Sequence, residues 1–300
     1  ENFLSKQIGK ISSDSVSRDL IVPNLSPIEA MLWIRNTMTT VEGYPFYLFS
    51  TLFGEKLALA DLGALLQITP INEIPYRANQ GASTSEEPEV AAKVLNGYTF
   101  GESEDLYKLI GRGVIGSDYN YINTLNNKTN NFSFDVVKDF LKPLIQNGTL
   151  GKQKNVGYTP EFQLDGIPFN KIKSRTITRL GSSFPFRTST GSINRIGYSE
   201  EKNIANYKRR VTATAMNLMI KKSPLHFAVD GLDFISGNTH FTIGNNIDIQ
   251  FLSPLIDDES NRIDTKRSGK YLIYSAKHVF KKERYDLVMT GIKMGNPVRI

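Results

Sequence analysis

The chain contains no cysteine, which excludes disulfide staples and thiolate-held metal. Histidine is scarce, with 3 in 300 residues, and His226, His240 and His278 stand apart from one another in sequence. Imidazole metal sites usually show pairs at helix or hairpin spacing, so these three read as strand or turn residues with satisfied rings. No apolar run approaches the ~20 residues of a helical membrane span. A basic-then-apolar leader is also missing: the chain starts at Glu1 without Met, which reads as a beginning whose upstream residues have been removed. G-x-S-x-G, G-x-x-x-x-G-K-[ST] and H-E-x-x-H do not occur. No catalytic, cofactor-binding or metal-ligating residue is assigned, and no cofactor is expected. Two carboxylates could still meet in space as a glycosidase pair, but nothing in the sequence favours it.

What is present suits a packed protein. Hydrophobic residues make up 40% and charged residues 22%, and the length corresponds to about two domains at roughly 150 residues each. The net charge is +6, and nearly all of the excess lies in residues 200–300. It comes in short runs, Lys208-Arg209-Arg210, Lys221-Lys222 and Lys281-Lys282. Solvated helix faces, turn tips and subunit contacts account for such runs more simply than a nucleic-acid groove.

The first clean element is a helix opened by Ser26-Pro27-Ile28-Glu29. The serine and glutamate have capping-box spacing, and Pro27 sits where its missing N–H costs nothing. Met31, Ile34, Met38 and Val41 mark its expected apolar face, ending by Gly43. Phe46–Leu52 and Lys56–Ala60 read as a strand pair turned at Gly54-Glu55, and Asp61 as the cap of a short helix through Leu66. Residues 77–87 read as a loop, Glu86–Asn96 and Ser103–Ile110 as helices, and Asn120–Asn131 as irregular or an edge strand. Asp135–Asn147 has the spacing of an amphipathic helix, bent at Pro143. From Gly148 to Gly197 the abundance of Gly, Pro, Ser and Thr predicts an extended arm or loop system.

Gly111-Arg112-Gly113-Val114-Ile115-Gly116 matches the dinucleotide-binding G-x-G-x-x-G, with Asp135 near the distance of a ribose-binding acid. The context is wrong, since a helix precedes the glycines and none follows. Glycines ending a helix explain the pattern better. Asp257-Asp258-Glu259 lacks the spacing and central glycine of a calcium loop and reads as solvated loop acids.

The last hundred residues are the most informative. Ile204, Tyr207, Val211, Ala215 and Leu218 recur at three or four residues, the period of one buried helical face. Strand-like stretches follow at 225–234, 241–252, 270–280 and 285–294. Ile247, Ile249 and Phe251 alternate with polar residues in the second. Leu272, Tyr274, Ala276 and Phe280 are expected to share a face in the third, and Tyr285, Leu287 and Met289 in the fourth. Lys281–Arg284 is a short charged turn that makes the last two an antiparallel hairpin. A four-stranded sheet of this kind has two open edges that need a partner.

In order and pattern these segments resemble the baseplate hub protein of contractile-tailed phages of the T-even type. The resemblance rests on NLSPIEAMLWIR (24–35), YPFYLFSTL (44–52), KLALADLGALL (56–66), GVIGSDYNYINTLNN (113–127) and FSFDVVKDFL (132–141). It is most specific in YSEEKNIANYKRRVTATAMNLMI (198–220), GNNIDIQFLSP (244–254) and GKYLIYSAKHVFKKERYDLVMTGIKMGN (269–296). It implies an α+β protein with a C-terminal tail-tube-like antiparallel β-barrel and flanking helix over 200–300. A peripheral mixed α+β region (1–150) and an extended arm (151–199) would precede it, and a first barrel would lie before Glu1. It also implies a non-enzymatic homotrimeric ring, assembled in the host cytoplasm and resident in the virion baseplate. That ring would join the tail tube to the central spike and let DNA pass through its lumen. The competing reading is a tail-associated cell-wall hydrolase acting through a carboxylate pair, and a third is a nucleic-acid-binding module.

Overall fold

The computed structural model describes residues 7–10, 22–50, 56–78, 93–101, 106–123, 128–136, 138–139, 163–168, 171–172, 175–181, 184–187, 193–196, 204–221, 224–234, 242–252, 263–264 and 267–293. His240, Asp257-Asp258-Glu259, the Gly54-Glu55 turn and most of the expected 135–147 helix lie outside these residues.

The N-terminal part follows its local signals. Strand β1 (Gln7–Lys10) precedes helix α1 (Pro27–Thr37), β2 (Phe46–Phe49), β3 (Lys56–Asp61) and helix α2 (Leu62–Gln67). Glu29 accepts from both the Ser26 N–H at 3.0 Å and the Ser26 hydroxyl at 2.7 Å, and these bonds hold its carboxyl below its ordinary pKa. Asp61 accepts from the Ala64 N–H at 2.9 Å and caps α2. The expected strand pair forms, with β3 antiparallel to β2 and parallel to β1. The α1 stripe stops earlier than its spacing suggests: Met38 is already extended, and Val41, in the following turn, is 56% exposed.

The chain then departs from the expected helices and loops. Short strands β4 (Tyr76–Ala78) and β5 (Val94–Leu95) stand where a loop and the end of a helix were predicted, and β6 (Gly97–Phe100) follows in a stretch given no element. Helix α3 (Leu106–Gly111) forms within the expected 103–110 helix and leads into β7 (Gly116–Asn123), which pairs antiparallel with β8 (Lys128–Asp135), an edge strand, across the segment read as irregular or an edge strand. The predicted arm contributes the small pairs β9 (Gln163–Leu164) with β10 (Ile167–Pro168) and β12 (Phe184–Arg187) with β13 (Ile193–Ile196). Between them, β11 (Arg175–Gly181) lies parallel to β7 over seven residue pairs.

Helix α4 (Ile204–Ile220) and strands β14 (Leu225–Asp230), β15 (Asn246–Gln250), β16 (Gly269–Lys281) and β17 (Arg284–Ile292) complete the fold. They form a seven-stranded sheet in the order β5-β4-β15-β16-β17-β14-β6. Each edge of the four-stranded wall is therefore covered within the chain, by β4 beside β15 and by β6 beside β14. The β15–β4 and β4–β5 pairs are parallel, so the sheet is mixed rather than purely antiparallel. Its end strands β5 and β6 are separated only by Asn96, whose N–H donates to the Ala228 carbonyl of β14 at 2.8 Å. The sheet thus curls until its two ends meet in one continuous stretch of chain.

Two cores lie on either side of this sheet. Inside the curl pack Phe227, Ile247, Ile249, Tyr271, Leu287 and Met289 with Tyr76 and Leu95. On the outer side, Leu272 and Ile292 join Tyr207, Met216, Met219 and Ile220 of α4, together with Leu62, Leu109, Ile115 and Phe132. Helix α4 is the shared wall between sheet and N-terminal region. Tyr271, Leu272 and Ile273 are all buried because β16 is covered on both faces there. A bulge between Ile273 and Ser275 inserts Tyr274 and reverses parity. Leu272 consequently faces α4, Ala276 packs against the inner core, and the face predicted for Leu272, Tyr274, Ala276 and Phe280 does not exist as one surface.

Candidate assembly surface

The residues singled out by sequence do not gather into one site. Gly113, at φ +75°, ends α3: its N–H donates to Ile110 O at 2.8 Å and the Val114 N–H to Leu109 O at 3.0 Å, a Schellman stop. A side chain at Gly113 would run into the Ser117 hydroxyl, which donates back to the Gly113 carbonyl at 2.7 Å. Asp135 lies directly across the β7–β8 pair from Gly116, in no position to meet a ribose from a βαβ turn. His226 is an exposed strand residue with its Nδ1 3.1 Å from the Thr290 hydroxyl. Among the described residues no three His, Asp or Glu side chains converge as a metal set, and no helix is long and apolar enough to cross a membrane.

The surface that stands out is the far end of the β16–β17 hairpin. Strand β15 pairs with β16 only from Gly269 to Leu272, whereas β16 and β17 remain paired to Lys281 and Arg284. On the inward-facing side of this extension, Phe280 stacks on Tyr285 at 4.4 Å with planes 6° apart, and His278 lies stacked beside both. His278 Nδ1 is 2.5 Å from the Tyr285 hydroxyl. Burial pushes the imidazole below its ordinary pKa and the phenol above its own. Phe280 nevertheless remains 62% exposed at the tip. On the opposite side Asp286 is buried, with Arg284 Nε at 2.5 Å and Lys281 Nζ at 3.8 Å. The result is a basic-edged hairpin end with an aromatic surface, flanked on the β17 side by β14 as far as Asp286.

A buried polar cluster ties the sheet to the N-terminal region. Asn246 is fully buried, and its Nδ2 donates to Leu65 O and Ile68 O at 2.8 and 2.7 Å, closing the carbonyl end of α2. Lys270 Nζ donates to Leu66 O at 2.5 Å. Burial depresses the neighbouring Lys293 to about 8, opposed by Asp264 and Asp248, while its ammonium donates to Ser268 O at 2.5 Å. Sequence reading missed this cluster because its partners are separated by roughly 180 residues; a polar Asn at the start of an apolar strand was the sole signal.

No protein-family model matches the chain, and no curated protein matches it. Among solved structures it is similar to a tail protein from Neisseria meningitidis MC58, with TM-score 0.48 and 10% identity, covering 96% of this chain and 61% of that one. It is also similar to the 43 kDa tail protein of prophage MuSo2 from Shewanella oneidensis, with TM-score 0.40 and 9% identity, covering 91% of this chain and 55% of that one. The chain spans less than two thirds of the length of either.

Proposed function

We propose that the chain is a structural protein of a phage tail and, more narrowly, the baseplate hub of a contractile tail. In this reading residues 200–300, completed by the strands of 76–100, form a tube-type β-barrel with α4 as its flanking helix. Residues 1–150 are the peripheral region, and 151–199 an arm fastened through β11. Copies associate as a homotrimeric ring in the virion that joins tail tube to central spike and leaves a lumen for DNA. The observation that supports this most is the curled seven-stranded sheet with α4 laid along its outer face. It forms in the segment where the resemblance to the hub family is most specific.

One feature of the ring changes with the observed pairing. Open edges of the four-stranded wall cannot be what joins neighbours, because β4 and β6 already occupy them. The hairpin extension with exposed Phe280 takes that role instead. Sedimentation of the purified chain at micromolar concentration is expected to give three times the 33.7 kDa protomer mass. A stable monomer contradicts the ring. A peptidoglycan zymogram is expected to show no clearing; clearing would transfer the reading to a cell-wall hydrolase.

A further inference from the structure

Helix α4 and the residue just past its end carry a polar stripe at Arg210, Thr214, Asn217 and Lys221, spaced by four, three and four residues. Arg210 and Asn217 are half-buried while Thr214 and Lys221 are exposed, and the stripe lines a solvent-open cleft of about 310 Å3 shared with the last turn of α1, the start of β2 and Tyr274 of β16. The volume falls at the lower end of the ~300–1,000 Å3 typical of small-ligand sites.

Among the described residues the lining brings Arg35, Arg210 and Lys221 together and includes no Asp or Glu. Arg35 spends one terminal nitrogen on Asn36 Oδ1 at 2.6 Å, while its Nε is buried with no hydrogen-bond partner. A buried donor left unmade is costly, so the geometry lacks an acceptor at that point. The surrounding groups are held in place. Lys221 Nζ sits 4.6 Å over the Tyr274 ring, and that ring meets Tyr47 edge-on at 6.5 Å. Tyr47 donates to Asn217 Oδ1 at 2.5 Å, which leaves the Asn217 amide nitrogen as the donor end. Burial raises the Tyr47 phenol far above its ordinary pKa, so it remains a donor at neutral pH.

We propose that this cleft binds a compact phosphate-class oxyanion, a phosphate monoester or diphosphate, gripped by Arg35, Arg210 and Lys221. Guanidinium groups present paired N–H donors that match phosphate oxygens. Three cations also fit a di- or trianion better than a single carboxylate. The cleft exceeds a bare phosphate in size and leaves room for a second phosphoryl or an organic substituent. An occupant would join α1, α4 and β16, and binding to the folded state alone raises stability by mass action.

The test is calorimetric titration of the full chain with inorganic pyrophosphate and, separately, inorganic phosphate, alongside thermal melts. One saturable site is expected, tighter for pyrophosphate, weakened by added salt and accompanied by a raised melting temperature. Arg210→Gln and Lys221→Gln are each expected to weaken binding at least tenfold, whereas Lys282→Gln at the β16–β17 turn leaves it unchanged. Arg35→Lys retains the charge but removes the Nε donor, and is expected to weaken binding while the ligand-free melt stays cooperative. No saturable binding overturns the proposal, as does binding that survives both Arg210→Gln and Lys221→Gln. Binding of citrate without pyrophosphate would assign a carboxylate site instead, and binding of a DNA oligonucleotide without pyrophosphate a nucleic-acid contact. Because the readout is ligand binding, it stands apart from whether the chain forms a ring.

Discussion

Ile249 is fully buried inside the curl, between Tyr76 of β4 and Gly269 of β16. Truncating such a side chain removes its transfer energy and leaves a cavity, so Ile249→Ala should cost about 2–5 kcal/mol in urea unfolding. Ile249→Asp, which buries a carboxylate with no partner, should abolish the cooperative transition altogether. Asn246→Ala should cost about 1–3 kcal/mol, because the Leu65 and Ile68 carbonyls lose their short donor and keep only long contacts from the Ile68 N–H at 3.4 Å and Lys270 Nζ at 3.5 Å. Lys293 gives a pH signature with a definite sign. Its folded pKa of about 8 lies below its unfolded value, so between the two the unfolded chain binds more protons and stability rises with pH. Urea midpoints measured from pH 7.5 to 9.5 should increase, and Lys293→Met should flatten that slope; an unchanged slope would remove Lys293 as its source.

At the scale of elements, what could be read in advance was whatever is settled locally. The Ser26–Glu29 box, the Asp61 cap, the β2–β3 pair and the Gly113 stop are each fixed by a few adjacent residues. Strands β4, β5 and β6 are two to four residues long; β15 accepts β4 and β14 accepts β6 across more than a hundred residues of chain, and β5 in turn pairs with β4. No local period can announce them. The bulge at Tyr274 defeated the alternation rule for the same reason, since a single inserted residue exchanges the two faces of β16. The cationic cleft was hidden differently. Lys208-Arg209-Arg210 and Lys221-Lys222 look alike as charge runs, yet Lys208 reaches out over the Phe132 ring while Arg210 and Lys221 face α1. For the β16–β17 extension, Phe280→Glu should leave the melt nearly unchanged, since the ring is mostly exposed, while shifting sedimentation toward the protomer. Unaltered association would show that the tip is not a subunit contact.

Across the whole molecule, one sheet serves two cores. Its concave face encloses Phe227, Ile247 and Leu287, and its convex face uses Leu272 and Ile292 to hold α4 and, through it, the N-terminal layers. The two ends of the sheet come together at Asn96, and β15 leaves β16 at Leu272, so the later part of β16 runs on beside β17 alone. The proposed association between copies would run through the end of the β16–β17 hairpin. The most direct measurement is an averaged electron micrograph of the purified particle at micromolar concentration. A hollow ring with three-fold symmetry is the predicted image; a small solid particle of protomer size would contradict the account.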